Sequence, residues 1–174
     1  MNKSLGPLLI AAWSGTVILL AGCGSSLGGS TTYLPEPAAL QSAVDCSTAN
    51  GEQAPSPAPA PATRGRVPDG FVPVEVVTCT PDSIVGTVTQ AHLSGDYAPL
   101  LAALAKPSER GGPASCLDYG EILPAIWLVN ADGQTVNVQW PMDSCGHSLP
   151  GTIEALRALT VTESKSIPSK GGGS

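Results

Sequence analysis

The chain has 174 residues, with eight Lys and Arg against fourteen Asp and Glu, for a net charge of −6. That acidity excludes the basic stripe a nucleic-acid partner requires, and with it electrostatic adhesion to anionic lipid. Once the apolar start, a Pro/Ala/Ser-rich stretch and the tail are set aside, about 100 residues remain, enough for one small domain with a modest core.

The first element is apolar and short. Met1-Asn2-Lys3 carries one positive charge, and residues 8–20 follow as a mostly apolar run interrupted by Ser14-Gly15-Thr16. A bilayer-spanning helix needs roughly 20 such residues, whereas the centre of a secretion signal needs roughly 7–15. Directly behind the run stands Leu20-Ala21-Gly22-Cys23. An aliphatic residue, two small residues and a cysteine resemble the lipobox of bacterial lipoproteins. The resemblance implies transfer of diacylglycerol to the Cys23 sulfur, cleavage between Gly22 and Cys23, and often acylation of the new amino terminus. Residues 1–22 then form a signal peptide outside the fold. Two acyl chains hold a membrane firmly where one binds marginally, at about 0.8 kcal/mol per buried methylene. The expected location is the outer face of the cell membrane, with lipid on Cys23 as the attachment.

Residues 23–65 read as a tether. Gly24-Ser25-Ser26-Leu27-Gly28-Gly29-Ser30 is flexible in composition, and residues 55–61 alternate proline with small side chains. Such a run favours extended polyproline geometry at about 3.1 Å per residue. Cys46 is out of place in a tether and predicts that its neighbourhood docks on the domain. The globular part is expected over 66–168, followed by a flexible tail at 169–174.

Within it, residues 71–79 are β-rich, with Pro73 near the strand start, where a missing N–H is tolerated. A second extended run is expected over 84–89, after the turn-like Pro81-Asp82-Ser83. Asp96 can cap a helix whose Tyr97, Leu100, Leu101 and Leu104 fall at helical spacing, with Pro99 in its first turn and Pro107 as its stop. Residues 122–129 are apolar on both faces, as a central strand is. Asn130-Ala131-Asp132-Gly133 then supplies a hairpin turn, with Asp132-Gly133 as its two-residue centre. Val136, Val138 and Trp140 alternate with Asn137 and Gln139, so one face is expected buried and the other wet. Ser148 can cap a last helix carrying Leu149, Ile153, Leu156 and Leu159, and residues 160–167 read as a final strand. The order predicts a small α+β domain, an antiparallel sheet with two helices on one face, stapled by disulfides.

Of five cysteines, four remain once Cys23 carries lipid, an even number in an exported chain. Cys116 and Cys145 flank the hairpin at its open end, which makes them plausible neighbours. Cys46 and Cys79 pair by elimination. Other pairings stay open if the first strand lies beside the hairpin. Met142, Cys145 and His147 group a thioether, a thiol and an imidazole, as copper sites do, but oxidation of Cys145 removes the best ligand. Metal and cofactor are therefore not expected. Gln90-Ala91-His92 and Asp143-Ser144-Cys145-Gly146 echo pieces of serine proteases, yet a domain of this size lacks the framework to place a triad. Asp118 and Glu121 are close carboxylates of the kind usually left in solvent. Trp127, Trp140 and Tyr119 can line an apolar groove or pack in the core.

From about residue 74 to 160, the cysteine-ended first strand, the helix with Leu100 and Leu104, the cysteine before a hairpin, the Cys145-Gly146 pair and the amphipathic helix resemble small secreted or lipid-anchored proteins of high-GC Gram-positive bacteria. The resemblance implies location and disulfides but no activity. The expectation is a non-enzymatic binding or protein-interaction module at the cell envelope, whose partners are the membrane through Cys23 and another envelope protein. The rival readings are a small envelope hydrolase using His92 or His147, and an inhibitor or structural partner of another envelope protein.

Overall fold

A computed structural model describes residues 29–48, 63–82, 84–112, 115–117 and 119–169. The signal peptide, Cys23, the proline-rich run, Asp118 and the tail from 170 lie outside the described residues. In chain order the elements are β1 (Thr31–Tyr33), a 3-10 turn (Cys46–Thr48), β2 (Arg64–Gly65), β3 (Pro73–Asp82), β4 (Thr87–Ser94), α1 (Ala98–Leu104), β5 (Ser108–Arg110), β6 (Ala125–Asn130), β7 (Thr135–Val138), α2 (Thr152–Arg157) and β8 (Thr160–Pro168). The main sheet has the order β2-β7-β6-β3-β4-β8, while β1 and β5 pair separately. β2 runs parallel to β7 and every other pairing is antiparallel. The sheet is therefore mixed and the domain richer in strands than the expected antiparallel sheet with two helices.

β6 occupies the middle because both of its faces are apolar. Ile126 and Leu128 join Val76, Val136 and Val138 beneath α1 and α2, which contribute Leu100, Leu104, Ala155 and Leu156 to one core. Ala125 and Trp127 face the other way, with Val77, Cys79 and Val88, and form a second core with Cys46. Both helices thus cover one face, and a segment ahead of β2 covers the other.

α1 forms where its sequence predicts, but Tyr97 rather than Asp96 is the N-cap residue and no side chain caps from that position. Asp96 Oδ1 accepts the Ala98 N–H at 2.9 Å, and Pro99 sits in the first turn, where no intrahelical partner is lost. α2 starts later than expected. The Ser148 N–H and hydroxyl donate to Glu121 at 2.6 and 3.1 Å instead of capping. Gly151 takes the N-cap, with its N–H donated to Glu154 Oε2 at 2.8 Å.

Two turns also differ. Asp82 Oδ1 accepts the N–H groups of Ile84 and Val85 at 3.0 and 3.3 Å, which holds 84–86 as a turn and moves the second strand to Thr87–Ser94. The second hairpin closes around three residues, since Asn130 N–H reaches Gln134 O and Gly133 N–H reaches Asn130 O, both at 3.0 Å. Gly133 there has φ 76°, the left-handed position such a loop requires.

The largest departure lies in the supposed tether. Between residues 31 and 48 the chain is a strap across the sheet. Ala38 N–H donates to Arg66 O at 2.9 Å, and Gln41 and Thr135 exchange both backbone bonds at 2.8 Å. Thr135, only 3 % exposed, donates its hydroxyl to Ala43 O at 3.1 Å. The face of β7 expected to be wet is therefore covered at Thr135. Cys46, 2 % exposed, ends the strap on Cys79, which is fully buried.

Candidate functional site

Where β7 ends, its chain opens a groove of about 470 Å³ with Arg64, Leu123, Pro124, Trp140, Gln139 and Met142 on its walls. Trp140 is one of its walls. The ring is 6 % exposed and its Nε1–H donates to Pro124 O at 2.8 Å, so the indole is fixed in place. Arg64 arrives from the short β2 through its parallel pairing with Asn137. Ile122, next to Leu123, is 75 % exposed, and Leu117 in the same loop is 78 % exposed. The groove therefore joins apolar side chains from Leu123, Pro124, Trp140 and Met142 to one cation and one amide, with about as much polar as apolar surface.

Of the three aromatic residues singled out by sequence, Trp140 lines this groove. Trp127 lies in the core under the strap, and Tyr119 stacks on His147 at 3.9 Å with the rings 1° from parallel. Arg64 and Leu123 carried no local signal; a two-residue strand and a loop residue become neighbours only through long-range pairing.

The loop beside the groove is built on Asp143. Its Oδ1 accepts the N–H groups of Cys145 and His147, both at 2.8 Å, and its Oδ2 lies 3.7 Å from His147 Nδ1. Cys145 is bonded to Cys116 with Cα atoms 5.6 Å apart. The His147 backbone N–H does most to hold the Asp143 carboxyl below its ordinary range; Cys145 N–H adds to this and burial opposes it. A depressed folded value means stability that is complete above the unfolded value, about 3.9, and lost as pH falls through the folded one. Asp143→Asn keeps an acceptor for both N–H groups but cannot ionise. Urea unfolding should find the variant less stable than wild type at pH 7, with the gap closing as pH drops below about 4. A gap unchanged down to pH 2.5 would show that the carboxylate charge contributes nothing.

The remaining candidates do not assemble a reaction centre. Met142, Cys145 and His147 fall close together, but the Cys145 sulfur is committed to Cys116. Among the described residues no group of three His, Cys, Asp or Glu gathers at metal-binding distances. His92 stands on β4, its Nδ1 2.6 Å from Glu75 Oε1 and its Nε2 3.0 Å from Gln90 Nε2. Ser144 stands in the loop after β7, against Gly112. The serine-protease echo thus falls on separate elements. Glu121 binds Ser148, and Asp118 is outside the described residues.

The incoming chain meets the domain next to this loop. A Cβ placed on Gly112 would stand 2.9 Å from Ser144 Oγ and 3.5 Å from Ser30 Cβ, so Ser30, Gly112 and Ser144 are mutual neighbours. No described helix is long and apolar enough to cross a membrane. No protein-family model matches the chain, and neither a curated protein nor a solved structure is significantly similar to it.

Proposed function

We propose that this is an exported lipoprotein of the cell envelope, held to the outer face of the membrane through lipid on Cys23, and that its domain binds another envelope protein without catalysis. The observation that carries the binding reading is the groove: a trough of mixed polar and apolar surface in which the fixed Trp140, Leu123 and Met142 meet Arg64 and Gln139, with the exposed Ile122 next to Leu123 in the chain. Two disulfides fit an oxidising compartment. The strap shortens the tether, since Ser30 is seven residue-to-residue steps from Cys23. Fully extended they reach about 25 Å, so the groove is kept near the bilayer surface, where a membrane-associated partner is found.

The hydrolase reading draws less support. The ring partners of His92 are Glu75 and Gln90, and those of His147 are Asp143 and Tyr119. Among the described residues neither histidine lines the groove. A photo-crosslinking amino acid at Gln139, in cells carrying the lipidated protein, should give one discrete adduct that Arg64→Glu abolishes. The same group at Asp132, exposed in the turn between β6 and β7, should give none. Equal labelling from both positions, or hydrolytic turnover abolished by His147→Ala or His92→Ala, would overturn the reading.

A further inference from the structure

β8 ends the main sheet on the side away from β2. It is nine residues long and, among the described residues, pairs with β4 alone, so its outer edge is open. An open edge is a template for another strand, because its outward N–H and C=O groups lack ladder partners. One bond tells which groups those are. Ser169 N–H donates to Gly86 O at 3.1 Å, just beyond the last pair of the ladder. Antiparallel bonding alternates along a strand, so Ile167, Lys165 and Glu163 turn their N–H and C=O groups to β4, while Ser166 and Ser164 turn theirs outward. Pro168 also falls on an outward position, where its missing N–H costs the ladder nothing.

The side chains of this edge are complementary to themselves. Glu163 and Lys165 are exposed, flank Ser164 and share a face. Among the described residues neither takes part in an ion pair. The register with β4 shifts only past Glu163, so the ladder from Glu163 to Pro168 is regular. A second β8 laid antiparallel against the first, with the twofold axis at Ser164, sets Ser164 against Ser164 and each Glu163 against Lys165 of the other copy. Moving the axis to Lys165 sets lysine against lysine, and moving it to Glu163 sets glutamate against glutamate. Unlike charges directly opposite stabilise a strand pair and like charges destabilise it. An axis at Ser166 sets Pro168 against Ser164 and forfeits a bond at the missing N–H. Charge and proline together therefore select one register.

We infer that β8 is a homodimer interface, at which a second copy of this chain adds its own β8 antiparallel about Ser164 and joins the two sheets into one. A twofold contact presents the same patch from both sides and so requires a self-complementary strand. A partner of different sequence sets no such requirement. The inference goes beyond the groove reading and stands without it.

The test uses the full chain in the cells that carry it. Across a bonded antiparallel pair the Cα atoms are about 5.5 Å apart, within reach of a disulfide. Ser164→Cys should therefore give a disulfide-linked dimer on mild oxidation, seen on a non-reducing gel. Ser166→Cys is the control, because the two copies of that residue stand four positions apart along the strands, about 14 Å, and should not link. In the Ser164→Cys background, Lys165→Glu alone should lower the yield of dimer about tenfold, and so should Glu163→Lys. Both substitutions in one chain should restore it, as should mixing a Lys165→Glu chain with a Glu163→Lys chain. Light scattering of the wild-type protein in detergent should give a dimer and that of Lys165→Glu a monomer, a reading that needs no introduced cysteine. Equal linking from positions 164 and 166, no rescue by the double swap, or an adduct of a mass other than two copies overturns the inference. The crosslink from Gln139 reports on the groove and is unaffected by either result.

Discussion

Replacing Cys46 and Cys79 together by alanine is expected to destabilise the domain by about 4 kcal/mol, the chain-entropy value for a bridge spanning 33 residues. Against a total stability of about 5–15 kcal/mol, that is a large fraction. The loss should register in full because both cysteines are packed inside the second core, at 2 % and 0 % exposure, with Val77, Val88 and Trp127 around them. In urea the midpoint should fall by roughly 2 M at an ordinary dependence of about 2 kcal/mol per M. The Cys116–Cys145 bridge makes the contrast. It spans 29 residues, but Cys116 stands in an exposed loop. When that bridge is cut, the loop gains freedom in the folded state too, which offsets part of the gain in the unfolded one. The double variant at 116 and 145 should therefore shift the midpoint less. Equal shifts would mean that the strap adds nothing beyond loop closure.

The second large effect is expected at Gly65. Its backbone runs so close to the strap that a Cβ there would penetrate the Glu36 carbonyl oxygen and stand 2.8 Å from Ala38 N. Those atoms are main chain, so no rotamer change relieves the overlap. Glu36 O and Ala38 N are the groups that bond Arg66 on either side, at 3.0 and 2.9 Å. Gly65→Ala must therefore push residues 36–38 off the sheet edge, at a cost of about 1–3 kcal/mol or more. Hydrogen exchange should show the Ala38 and Arg66 amides losing protection while α1 keeps its own. Unchanged protection at Ala38 would contradict the close approach.

How far these features were legible depends on whether their signal was local. α1 was readable because Asp96, Pro99 and the leucine spacing act within one turn. β6 was readable because apolarity on both faces has few causes besides a central position. The helices cover one of those faces, as expected. The strap covers the other, and only Cys46 announced it. β1, β2 and β5 are two or three residues long, too short for alternation to show, and exist through partners far along the chain. The mixed character of the sheet rests entirely on β2. The groove inherits that difficulty, since Trp140 was foreseeable from the alternation of β7 while Arg64 reaches it only by the parallel pairing. The disulfides show how a second piece of information decides between pairings that spacing leaves open. β3 does lie beside the hairpin, with Cys79 opposite Ala125, which was the arrangement that would have admitted other pairings. Strand alternation resolves it, because Cys79 points to the strap face and meets Cys46.

The central claim is that lipid on Cys23 places this domain at the envelope surface, and one measurement bears on it most directly. Cells expressing the full chain or Cys23→Ala are labelled with a radioactive or alkyne-bearing fatty acid and then fractionated. The account predicts label on the wild-type protein, which stays with the membrane. The variant should carry no label and be released, or accumulate as the longer precursor. A mature-sized Cys23→Ala band that still fractionates with the membrane would contradict it.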